Sequence, residues 1–77
     1  MNNIIHQYFK KSIEGHLILL QVDAENLKGV ELIVAPDGKI EKTKRVLDEH
    51  IFEDLEEDGF EKSHALEFNL YLKGLVK

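Results

Sequence analysis

The run Glu49-His50-x-x-Glu53-Asp54 is the densest set of potential metal ligands and proton carriers in the chain. On a helix, His50 and Asp54 lie one turn apart, as do Glu49 and Glu53, so nitrogen and oxygen ligands share one side. His50 with Asp54 is therefore the metal pair to consider. The pattern departs from the HExxH zinc motif, and no second histidine shares the helix. The plainer reading is a surface imidazole paired with Asp54, and no metal or other cofactor is expected.

Other chemistry has thin support. There is no cysteine, which removes thiol nucleophiles, disulfides and thiolate zinc sites. Ser12, Ser63 and Thr43 read as turn and cap residues. His6 falls on the polar side of a first helix, and His16 and His64 stand at strand starts, where histidine is usually structural. Tyr8 and Tyr71 read as packing or interface residues. The glycines at 15, 29, 38, 59 and 74 stand singly between elements, so no phosphate-binding loop is present. Exposed carboxylates keep ordinary acidity and lack the desolvation that acid–base catalysis uses. The expectation is a protein that is not an enzyme.

Charge is the more informative property. Residues 44–62 carry eight of the 15 acids and only three of the 10 bases, a balance of −5 that equals the net charge of the whole chain. Glu49, Glu53, Asp54, Glu57 and Asp58 form the face on which a basic partner would dock. The alternative is a solvated face tolerated because buried aliphatics outweigh the repulsion. A pI near 5.3 argues against general DNA or RNA binding. No apolar run approaches the length that spans a bilayer, and MNNIIHQYFKK lacks the basic head and long apolar run of a signal peptide. A cytoplasmic protein without membrane contact is expected.

The elements that must position these residues follow from spacing. A chain of 77 residues makes one domain, 1–77, near the lower limit for a self-sufficient core. Asn2 or Asn3 caps a helix over about 3–13, with Ile4, Ile5, Tyr8, Phe9 and Ile13 at helical spacing and Gly15 as its stop. His16–Asp23 reads as a strand apolar on both faces, which requires cover on both sides. That cover would be the first helix on one side and the second helix, or a partner subunit, on the other. Val30–Ala35 is a second strand, Pro36-Asp37-Gly38 a tight turn, and Lys39–Lys42 a short third strand. Thr43 caps a helix over 44–58 that buries Leu47, Ile51 and Leu55 and stops at Gly59, with Phe60 folding back. Leu66, Phe68, Leu70 and Leu72 alternate with polar residues in a final strand over 63–73, followed by an apolar Leu75-Val76 tail.

The sum is an α+β fold in the order α-β-β-(β)-α-β, a mostly antiparallel sheet of three to four strands with two helices packed on it. The functional expectation is a small interaction protein, homodimeric through the doubly apolar strand's outer face or the last strand. The alternative is an acidic inhibitor or antitoxin-like protein that docks helix 44–58 on a basic partner.

Overall fold

The computed structural model describes residues 5–74; the Asn2 or Asn3 cap and the Leu75-Val76 tail lie outside them. Five strands form one sheet: β1 (His6–Ile13), β2 (His16–Asp23), β3 (Lys28–Val34), β4 (Ile40–Val46) and β5 (Glu61–Lys62). The helices are α1 (Ile51–Glu57) and α2 (Ala65–Leu72). The sheet order is β4-β3-β2-β1-β5, antiparallel throughout. The α+β class with two helices holds, while the element order and strand count differ from expectation.

Three segments change type. The first helix is strand β1. Tyr8 and Phe9 are adjacent apolar residues because opposite faces of the sheet are both covered, and such a pair imitates a helical stripe. Gly15 is the second corner of a hairpin, not a helix stop. Glu14 at φ 50° and Gly15 at φ 82° give the two positive values of a type I′ turn, and Ile13 pairs with His16 across it. The helix expected over 44–58 begins only at Ile51, and its first residues extend strand β4 to Val46. Thr43 is the middle of that strand, not a cap.

The final strand over 63–73 is helix α2. Its period-two pattern coincides with Phe68 and Tyr71 at i, i+3, and these are the residues that pack on the sheet. Leu66 is left 67% exposed, a position the strand reading would have buried. The Pro36-Asp37-Gly38 turn forms as expected. Gly38 takes φ 92°, its N–H reaches the Ala35 carbonyl at 2.9 Å, and Lys39 N–H donates to Asp37 Oδ1 at 3.0 Å.

The core is split in two by the sheet. Phe9, Leu20, Val22 and Leu55 pack on the α1 face, joined by Leu47, Ile51, Phe52 and Phe60. Leu19, Leu32 and Phe68 pack on the α2 face with Tyr8, Leu17, Val30, Ile40 and Tyr71 around them. Cover on both sides of β2 is therefore met, but by α1 and α2. This removes both surfaces expected to carry a dimer. The outer face of the doubly apolar strand is already buried, and the last strand does not exist.

Between these layers the chain must change sides. Phe60 N–H bonds to the Leu55 carbonyl at 2.9 Å and Gly59 N–H to Glu56 at 3.1 Å, with Gly59 at φ 83°. That is a Schellman stop, and Phe60 returns to the core beside Leu55. β5 then pairs with Phe9 and Lys10 at the sheet edge, and Ser63 N–H donates to the Tyr8 carbonyl at 2.8 Å before α2 starts on the other face.

Gly29 permits a close approach of a different kind. A Cβ there would meet the Gln21 carbonyl oxygen at 3.0 Å and Leu47 Cδ1 at 3.1 Å. Backbone cannot retreat as a flexible side chain does, so Gly29→Ala is expected to destabilise the fold by about 1–3 kcal/mol. Urea unfolding followed by circular dichroism checks this, and Gly38→Ala, where a Cβ meets nothing within 4 Å but φ is positive, separates steric crowding from backbone strain.

Candidate functional surfaces

Residues 48–58 contain seven acids (Asp48, Glu49, Glu53, Asp54, Glu56, Glu57 and Asp58) and no lysine or arginine. All seven are exposed, and among the described residues none pairs with a lysine or arginine. The shorter helix changes their arrangement. Glu49 precedes α1, Glu53 and Asp54 lie in its first turn, Glu57 is its last residue and Asp58 its C-cap. Of the i, i+4 series Glu49, Glu53 and Glu57 that a helix over 44–58 would hold, only Glu53 and Glu57 lie on α1, while Glu49, Glu53, Asp54, Glu57 and Asp58 remain on one acidic surface segment.

Asp48 starts this helix, a role the sequence reading gave to Thr43. Its Oδ1 accepts the His50 N–H at 2.9 Å, and its carbonyl accepts the Ile51 N–H at 3.2 Å. The Asp three residues ahead of the helical run was the available signal. His50 itself is the N-cap residue, with no side-chain cap bond. Its Nε2 lies 3.7 Å from Glu49 and its Nδ1 3.9 Å from Glu53, contacts that are ion pairs only when the ring is protonated. Asp54 is not its partner. Among the described residues no group of three His, Asp or Glu side chains is placed to hold a metal ion, so His50 and Asp54 remain an isolated pair of residue types.

The second surface is one the sequence reading did not single out, because it placed residues 44–46 in a helix. β4 is an outer strand, with β3 on one side only. Ala35 N–H bonds to the Lys39 carbonyl and Leu47 N–H to the Leu27 carbonyl, each at 2.8 Å. Bonded pairs alternate along an antiparallel ladder, so Glu41, Thr43 and Arg45 bond to β3. The N–H and C=O groups of Ile40, Lys42, Lys44 and Val46 therefore point away from the sheet. Val46 is 91% exposed. Arg45 bonds Glu31 at 3.2 Å on the α1 face, whereas Glu41 has no basic partner among the described residues.

The opposite edge is treated differently. There β5 and Ser63 occupy the middle of β1, and the flanking Glu67 carboxylate accepts the Ser63 hydroxyl and lies 3.4 Å from Lys10. The Ser63 hydrogen bond, followed by the Lys10 charge, holds Glu67 below its ordinary 4.5 against the opposing effect of burial.

A shallow groove of about 450 Å³ lies on the α2 face beyond the helix, floored by the cross-strand rows His6-Asp23-Lys28-Val46 and Gln21-Val30-Lys44. Asp23 is its one buried acid, and its oxygens are taken up by its own loop. Oδ1 accepts the Glu25 and Asn26 N–H groups at 3.1 Å, and Oδ2 the Asn26 side-chain amide at 2.8 Å. The Asn26 side-chain bond, then the Asn26 backbone bond, lowers its pKa below the ordinary 3.8. The carboxylate thereby closes the β2–β3 loop. No family model, curated protein or solved structure matches the chain.

Both lowered carboxylates bind a proton less readily folded than unfolded. Their contribution is therefore fully present above their unfolded values near 4.5 and 3.8 and is lost as the pH falls through their lower folded values. Stability is expected to fall on acidification from pH 5, and the fall should be shallower in Asp23→Asn and Glu67→Gln. Urea midpoints measured at steps between pH 6 and pH 3 test it; parallel curves for wild type and both variants would remove the assignment.

Proposed function

We propose that this chain is a non-enzymatic interaction protein that acts as a homodimer. The observation that carries the reading is the open edge of β4, a seven-residue strand whose outward backbone groups have no partner among the described residues, with an exposed valine at its end. A long free edge is a template for another strand. Both sheet faces already have helical cover, so the edge is where a further chain adds backbone hydrogen bonds without displacing the core. Sedimentation velocity across micromolar to millimolar concentrations should show the dimer mass growing in. A chain that stays monomeric over that whole range ends the proposal.

A second reading rests on a separate observation, the seven exposed acids of 48–58 without a lysine or arginine partner among the described residues. An acidic inhibitor or antitoxin-like protein would present Glu49, Glu53, Asp54, Glu57 and Asp58 to a basic protein, with charge steering the encounter. All five are exposed, so the double variant Glu53→Lys/Glu57→Lys is expected to keep the fold and lose such a partner. Capture at low salt on wild type, absent on the double variant, supports it. Equal capture by both would retire it.

A further inference from the structure

The β4 edge has a property that a generic open edge lacks. Read in both directions, Ile40-Glu41-Lys42-Thr43-Lys44-Arg45-Val46 is close to its own mirror, with apolar ends, one acid and one base inside them, and lysines flanking a central threonine. We propose that two copies join β4 to β4 antiparallel about a twofold axis through Thr43, forming one continuous ten-stranded sheet. This deepens the homodimer reading and rests on it.

Parity and charge select the register. The outward groups belong to residues 40, 42, 44 and 46, so these must face one another, and only alignments stepping by two residues allow that. Centred on Thr43, Lys42 bonds with Lys44 of the second copy and Ile40 with Val46, each residue donating one N–H and accepting at one C=O. On the α1 face Glu41 falls opposite Arg45 twice over and the two Thr43 side chains meet. These are the non-hydrogen-bonded positions, where side chains come closest. Glu41, without a basic partner among the described residues of one copy, gains a base, and Arg45 is held between its own Glu31 and the incoming Glu41. On the α2 face the 91% exposed Val46 is covered by Ile40.

The neighbouring registers do worse. Centred on Lys42, they set Lys42 against itself, Lys39 against Arg45 and Ile40 against Lys44. Centred on Lys44, they set Lys44 against itself, Lys42 against Val46 and Thr43 against Arg45. The chosen register's one adverse feature is Lys42 facing Lys44, a like-charge pair that occurs twice and sits at the wider, hydrogen-bonded positions. Salt screens this repulsion and the Glu41–Arg45 attractions alike.

Four variants test the register. Lys42→Pro removes an outward N–H and none of the β3 ladder, so it should keep the circular dichroism spectrum of wild type and abolish the dimer. Lys44→Glu turns both like-charge pairs into opposite pairs and should tighten the dimer about tenfold at low salt. Thr43→Cys introduces the single thiol of the chain on the axis, at a Cα separation of about 4.5 Å from its twin, within disulfide range. Under mild oxidation it should form a covalent dimer. Glu41→Cys, about 14 Å from its own twin, should not. A wild-type chain that is monomeric throughout overturns the homodimer reading and this one together. A dimer that persists in Lys42→Pro, or cross-links equally through positions 41 and 43, leaves self-association standing and overturns the β4 register. If Lys42→Pro fails to fold, the cysteine pair decides alone.

Discussion

β2 is apolar on both faces, and the architecture follows from that. Leu20 and Val22 point one way, Leu19 the other, and all three are almost wholly buried. Each such side chain is worth about 1.5–3 kcal/mol when removed from water, so leaving either face wet would forfeit much of the stability a small domain has. An antiparallel sheet ordinarily needs only one cover. This one needs two, and a single short chain supplies both by passing around the sheet edge. The Schellman stop at Gly59, the two-residue strand β5 and the Ser63 bond to Tyr8 are the means of that passage. Strand β5 is short because its work is to carry the chain across the edge, from Phe60 on one face to Phe68 on the other.

That same double cover explains what could be read from the residues and what could not. His16–Asp23 was legible as a strand with two apolar faces because its alternation is doubled and its ends are marked. The Pro36-Asp37-Gly38 turn was legible because three residues there each have a stereochemical reason to bend. The α+β class and the Gly59 stop with the return of Phe60 follow from the same kind of local signal. β1 was not legible. With both sides buried, Tyr8 and Phe9 lose the period-two signature, and Gly15, a type I′ corner, resembles a helix cap. α2 failed in the opposite sense, since its leucines alternate by chance and one of them, Leu66, stays in water. What decides α2 is remote. The sheet face that carries Leu19 and Leu32 needs a cover, and no window of sequence around residue 68 records that need.

The acidic segment shows how far a misplaced boundary travels. With a helix over 44–58, Lys44 and Arg45 sit at its N-terminus and oppose the macrodipole. With α1 starting at Ile51, those bases belong to a strand, and Glu53 and Asp54 in the first turn are favourably placed. What remains adverse is the C-terminal group Glu56, Glu57 and Asp58, at about 0.3–1 kcal/mol per exposed charge. Burial of Leu55 and partial burial of Ile51 and Phe52 offset that cost. The acids are thus tolerable without a partner. The correct boundary also separates the charges in space: acids follow Leu47, whereas 39–45 holds Lys39, Lys42, Lys44 and Arg45 against the single acid Glu41.

A basic outer strand has two consequences that work together. Lysines on an edge discourage pairing with arbitrary strands, since any basic or like-patterned neighbour meets repulsion and each lysine must surrender hydration. Such a guard costs every partner a similar amount. Ion pairs act otherwise, because in a β4-to-β4 pairing Glu41 would meet Arg45 in one register and threonine or leucine in those beside it. Repulsion that is general and attraction that is register-specific together give discrimination, even where the net affinity is modest. Were β4 uniformly apolar it would pair readily and without choice, as aggregating edges do. In the pairing proposed above, its near-mirror order of residues would reserve the edge for a strand of the same sequence running the other way.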